Sequence, residues 1–168
     1  MGRSRVCLPP AVARSPRGGG LGHTHLRALL DVNVWAALFD DAHQFSARAN
    51  AFIEEPGVQI ATCPLVENGV VRVMSSPSYS RGGAPPMRQV RDRLRTACQL
   101  LDHAFWPDDV SLRDDELFDF SHVQGHNQIT DLYLLGLAVR HGGRLVTFDQ
   151  AIALSSVHGA ATQNLLLL

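Results

Sequence analysis

Lysine is missing from this chain: all 15 basic residues among its 168 are arginine. That absence counts against a P-loop nucleotide binder or a phosphoacceptor receiver domain, both of which rely on a lysine at the phosphate. Cysteine is scarce as well. Cys7, Cys63 and Cys98 are odd in number and show no C-x-x-C spacing, which excludes a disulfide framework and a zinc knuckle and points to a reducing cytosol. No apolar run approaches the ~20 residues that a membrane-spanning helix needs, and the first 24 residues lack the continuous apolar stretch of a secretory signal.

An excess of positive charge is also lacking, since 16 acids against 15 arginines give a net charge of −1. The chain therefore carries no overall basic footprint of the kind that marks many nucleic-acid binders. The charge is unevenly spread. Arg3, Arg5, Arg14 and Arg17 all precede the first acid, Asp31, and without them the body holds 11 basic and 16 acidic residues, near −5. Such a body repels a polyanion unless cations or local arginines intervene. Residues 1–24, rich in Arg, Pro, Gly and Ala, are expected to be a disordered extension, with an organellar transit peptide as the alternative. Residues 25–168 suffice for one core and are too few for two.

The pattern that is present alternates strand and helix. Leu26–Leu30 reads as a buried strand ending at Asp31, and a helix follows from about Val34. His43–Glu55 carries apolar residues at helical spacing and Pro56-Gly57 closes it. Val58–Ala61 is a second strand, and Pro64 opens a helix to about Ser75. Prolines and glycines make 75–86 a loop. Met87–His103 predicts a long helix with Val90, Leu94, Ala97, Cys98 and Leu101 on its core stripe. Arg88, Arg91 and Arg95 fall on its other side, as a solvated face or as a phosphate-contacting ridge with Arg81 nearby. Phe105-Trp106 reads as a small strand or plug and Leu112–Phe118 as a short helix. Gln128–His141 is a helix stopped by Gly142-Gly143, Arg144–Phe148 is a strand ending at Asp149, and Gln163–Leu168 reads as an edge strand. This rhythm predicts a parallel sheet covered by helices.

Four acids stand out. Asp31 and Asp149 follow strands, Asp131 lies in the first turn of a helix, and Glu67 stands about one turn inside another. Each has an ordinary reading as a turn-former, a helix N-terminal charge or a solvent-facing group. In an open α/β sheet, however, right-handed crossovers would gather all four at the carboxyl edge, around one crevice. Two carboxylates ~4 Å apart repel by ~4 kcal/mol at an effective dielectric of 20. Four such groups need protons or a cation, and oxygen ligands alone suit Mg²⁺ or Mn²⁺ rather than zinc. A cation so held activates water and offsets the charge of a phosphodiester under attack.

Four stretches carry a family resemblance: LLDVNV around Asp31, CPLVENGVVRVMS around Glu67, GHNQITDLYL around Asp131 and GGRLVTFD ending at Asp149. In order and spacing, from about Leu26 to the C-terminus, they resemble the PIN-domain ribonucleases, and within them the VapC-type toxins of bacterial toxin–antitoxin pairs. The resemblance implies a three-layer α/β/α fold with a mostly parallel central sheet, and Mg²⁺- or Mn²⁺-dependent cleavage of RNA. It also implies a homodimer and a cognate antitoxin that blocks the site. The family's acidic positions carry over to Asp31, Glu67, Asp131 and Asp149 as catalytic and metal-binding residues, with Asn33 and Thr147 in supporting positions beside the pocket.

Two other readings remain open at this point. Asp31-Val-Asn33-Val resembles the opening of a haloacid-dehalogenase phosphatase, but Asn33 replaces the second Asp and the usual phosphate-binding Lys is absent. A PIN-like scaffold that binds a partner without catalysis is the non-enzymatic alternative, and a phosphodiesterase assay with and without EDTA separates it from a nuclease.

Overall fold

Five short strands pair in parallel throughout: β1 (Ala28–Leu30), β2 (Gln59–Thr62), β3 (Asp102–Phe105), β4 (Arg144–Thr147) and β5 (Leu165–Leu167), in the order β3-β2-β1-β4-β5. The computed structural model describes residues 26–79, 83–123 and 125–168. The expectations for residues 1–24 and for Arg81 lie outside them. β1 is central and wholly buried, its Ala28, Leu29 and Leu30 registered against Arg144, Leu145 and Val146 of β4. A strand covered on both faces reads as an unbroken apolar run, and the Leu26–Leu30 pattern has that character.

Helices α1 (Val32–Phe39), α2 (Ser46–Ile53), α3 (Pro64–Met74), α4 (Met87–Leu100) and α5 (Ile129–Arg140) complete the fold. From β1 the chain steps outward to β2 and then β3, whereas the return through α5 reaches β4 on the other side of β1. Right-handed crossovers running in opposite directions place their helices on opposite faces. Accordingly α1 packs against both α2 and α3, and α3 against α4, while α5 lies on β1 and β4. The result is the expected α/β/α sandwich. Its strand order reverses between β1 and β4, and at such a switch point the diverging connections leave a crevice at the carboxyl ends.

Local chemistry explains where the boundaries differ from the sequence reading. The helix expected to reach His103 stops at Leu100, because Leu101 turns extended and 102–105 join the sheet as its edge strand. Leu112–Phe118 forms turns rather than a helix; the Asp114 carboxylate accepts from the Glu116 backbone N–H, a local bond that competes with helix formation. The helix expected from His43 begins at Ser46. Phe105 and Trp106 part company. Phe105 ends β3 half in solvent, whereas Trp106 is a buried plug stacked on the His141 ring at 4.7 Å. Gly142 has φ of 62° after α5, the left-handed stop expected there.

Gly136 sets how closely α5 lies against the segment beneath it, since a Cβ there would overlap the buried ring of Phe118. Alanine in place of a mid-helix glycine gains up to ~1 kcal/mol of helix propensity, but overpacking of a filled core costs ~1–3 kcal/mol. Gly136→Ala is therefore expected to lower the unfolding free energy by about 1–2 kcal/mol, read as a shift of the urea midpoint.

Candidate active site at the carboxyl edge

Asp31 occupies the switch point. It follows β1, its backbone N–H donates to the Val146 carbonyl of β4, and it is the N-cap of α1. Its Oδ1 accepts from the Val32 backbone N–H and its Oδ2 from the Thr147 hydroxyl at 2.8 Å. Thr147 holds the pocket together, because its oxygen also accepts from Asn33 Nδ2 and from the Asp149 backbone N–H, each at 3.1 Å. One hydroxyl thus ties the acid after β1 to the acid after β4. Asp149 in turn accepts from the Ala151 N–H at 2.8 Å, which fixes the turn that presents it.

Asp131 enters from α5, in its first turn. Its carboxyl is pushed up to about 7, first by burial and then by the charges of Asp31 and Asp149. Burial also raises Asp31 above the usual carboxylate range, with Asp149 adding to the effect and the hydrogen bonds from Thr147 and Val32 opposing it. Three aspartates therefore act on one another across the crevice. No arginine or histidine among the described residues forms an ion pair with any of them.

Glu67 does not join them, contrary to the expectation of four acids around one crevice. Its carboxylate accepts from the Thr62 hydroxyl at 2.8 Å, and that oxygen lies 2.7 Å from His103 Nε2. Since Thr62 gives its only proton to Glu67, His103 must donate from Nε2. Successive side chains of an extended chain point to opposite faces. Cys63 turns toward Tyr133 of α5, so Thr62 and its partner Glu67 face the α3–α4 side. Consistent with this, burial and then the Glu67 charge push the Cys98 thiol of α4 up to about 11. Burial lowers His103, with Glu67 opposing and Arg27 adding to the fall. The Thr62–His103 pair was not foreseen in the sequence, where both read as ordinary strand residues.

The arginine ridge is real but partly spent. Arg88, Arg91 and Arg95 converge on Asp92 at 3.8, 2.7 and 3.6 Å. These pairs are exposed, and such contacts hold weakly.

The donor set fits a hard divalent cation. It consists of carboxylates with lone pairs to spare and a surplus of negative charge. Beside Thr147, the buried Oδ1 of Asn33 also has no hydrogen-bond partner among the described residues. As they stand, no three acidic, histidine or cysteine groups among the described residues are placed to hold a metal ion together.

The family model of the PIN domain matches residues 28–155, a span that takes in the switch point with its buried Asp31, half-buried Asp131 and exposed Asp149. The chain belongs to the PIN-domain family. Within it the chain is a VapC-type ribonuclease. It is 45% identical over 143 residues to Ribonuclease VapC44 of Mycobacterium tuberculosis (strain ATCC 25618 / H37Rv), covering 83% of this chain and 98% of that protein. It is 40% identical over 135 residues to Ribonuclease VapC39 of the same strain, covering 80% and 96%. With Ribonuclease VapC38, also of that strain, it shares 44% over 128 residues, 74% of this chain and 86% of the relative. The phosphatase and scaffold readings gain no support from these relatives.

Two outcomes follow for the metal-free protein. Asp131 holds its proton to about pH 7 when folded, against 3.8 for an ordinary aspartate. Its contribution to stability is full below about pH 4 and is lost as pH rises through 7. In EDTA the thermal midpoint is expected to fall across that window, and Asp131→Asn to flatten the fall. Because the group is only half buried, the loss is about 1–2 kcal/mol rather than the ~4 kcal/mol of an unscreened shift. Thr147→Val, which keeps the shape but removes the shared hydroxyl, is expected to cost about 1–3 kcal/mol, measured by denaturant titration above pH 7.

Proposed function

We propose that this chain hydrolyses RNA phosphodiester bonds as an endoribonuclease, with Mg²⁺ or Mn²⁺ held by Asp31, Asp131 and Asp149, and that it is the toxin of a toxin–antitoxin pair. The observation that carries this reading is the joining of Asp31 and Asp149 through Thr147 with Asp131 beside them, a pocket in which no described residue supplies a counter-charge. When bound, the cation lowers the pKa of a coordinated water and offsets charge on the attacked phosphate. Thr147 fixes the direction of Asp31 Oδ2, Asn33 braces Thr147, and Asp131, in its ionised form, would be the third carboxylate to hold the cation. Glu67 is the fourth acid by family resemblance, and joining the set requires it to leave Thr62. We assign residues 25–168 to the nuclease domain and residues 1–24 to an extension outside it. The active form is a homodimer in the cytoplasm, where Cys63 and Cys98 stay free.

Cleavage of a labelled RNA should need Mg²⁺ or Mn²⁺ and stop in EDTA. Asp31→Asn and Asp131→Asn should each lose at least ~100-fold in rate, the scale of several kcal/mol of lost charge stabilisation, while the fold stays intact. Near-normal activity in either variant would overturn the assignment.

A carboxylate pocket that binds a cation also suits a guanidinium, which pairs bidentately and keeps its charge. The cognate antitoxin is therefore expected to insert an arginine toward Asp31 or Asp131, and its inhibition to weaken as Mg²⁺ is raised. An antitoxin with that arginine changed to alanine that still inhibits fully at every Mg²⁺ concentration would show that it works by covering the RNA path instead.

A further inference from the structure

From the structure we infer a base-stacking subsite for single-stranded RNA in the groove between α3 and α4, with Phe105 as its platform and Arg72, Arg88 and Arg91 as its phosphate contacts. The inference rests on the nuclease reading above and extends it to how the substrate strand is held. Phe105 ends the edge strand β3 with 53% of its surface exposed, and it lines an open groove together with Pro64, Met87, the three arginines and one acid, Glu67. An isolated exposed apolar residue needs no explanation. Here Met87, 66% exposed, lies in the same lining, so the groove carries two exposed apolar side chains.

Position and charge favour RNA over a protein segment. Phe105 is registered with Thr62 at the end of β2, and β2 pairs directly with β1. The backbone of Phe105 thus lies two strand spacings, ~10 Å, along the carboxyl edge from the end of β1 and Asp31, with its ring on the α3–α4 face. A base there belongs to a nucleotide close to the scissile bond. The same groove is lined by the guanidinium-bearing Arg72, Arg88 and Arg91. Asp92 engages Arg88 and Arg91 only through exposed contacts, which phosphates readily replace, and among the described residues Arg72 makes no ion pair. Arginines placed locally in an acidic body are the means by which a polyanion is brought to a carboxylate site. Single strands bind by such combinations of aromatic stacking and basic contacts, largely independent of sequence.

The test uses the full chain and a short fluorescein-labelled single-stranded RNA of mixed sequence. In an Asp131→Asn background, Phe105→Ala is expected to weaken binding about tenfold, with Phe105→Trp restoring it and Phe105→Leu failing to do so. In the active background the same change should raise KM and spare kcat, with a fall in thermal midpoint no larger than that of Phe105→Leu plus the small loss expected from a half-exposed ring. Unaltered RNA affinity in Phe105→Ala, or full rescue by leucine, overturns the subsite. Loss of antitoxin binding with RNA binding and cleavage intact also overturns it and assigns the groove to the protein partner. A failed nuclease reading is recognised separately: no cleavage by the unmodified protein in Mg²⁺ or Mn²⁺, with Phe105-dependent RNA binding still present.

Discussion

Uncompensated negative charge at the reversal of the sheet is the constraint around which the site is built. Asp31, Asp131 and Asp149 come from three separate connections, and the fold holds them where water is partly excluded. Hydrogen bonds from Thr147 and from the Val32 N–H favour the ionised form of Asp31, yet burial and the neighbouring charge still raise it. Asp31 caps α1 and Asp131 stands in the first turn of α5, so two helix N-termini add modest favourable potential. Neither neutralises the pocket. A cation that bound such a site would relieve the repulsion and so stabilise the fold.

The arginines of the described chain are used elsewhere. Arg27 bridges to Asp102 at 3.0 Å and to the Ile60 carbonyl at 2.8 Å, which ties β1 to both outer strands on that side. Arg93 lies over the Phe39 ring at 4.9 Å and Arg144 over Phe52 at 5.5 Å. A planar guanidinium stacks in this way more readily than an ammonium, and the chain has no lysine. The cationic side chains thereby brace the body and edge the α3–α4 groove, leaving the aspartate crevice free of them among the described residues.

The central sheet divides two polar systems. On the α5 side, Thr147 organises the aspartates. On the α3–α4 side, Thr62 joins Glu67 to His103. The two threonines end adjacent parallel strands on either side of β1, each giving its proton to an acid, and the difference between them is the face to which each points. That difference separates an acid that shares the crevice from one held beside it.

The amino-acid sequence by itself determined the alternation of strand and helix, the parallel sheet and the candidates Asp31, Asp131 and Asp149, because these are local. Apolar runs, a proline at a helix start, a glycine stop and an acid after a strand act over a few residues, and crossover handedness does the rest. It also determined that no lysine chemistry is available. Tertiary structure alone decided that Glu67 turns away, that Thr147 links Asp31 to Asp149 and that Phe105 stands open while Trp106 is buried. Each of these depends on which face of the sheet a side chain takes, and the Thr62–His103 and Thr147–Asp31 contacts join residues 41 and 116 apart. A shift of one residue in a strand exchanges its two faces. The pattern placed the ends of these strands only to within a residue or so, and the helix expected to run to His103 concealed the strand that carries Phe105.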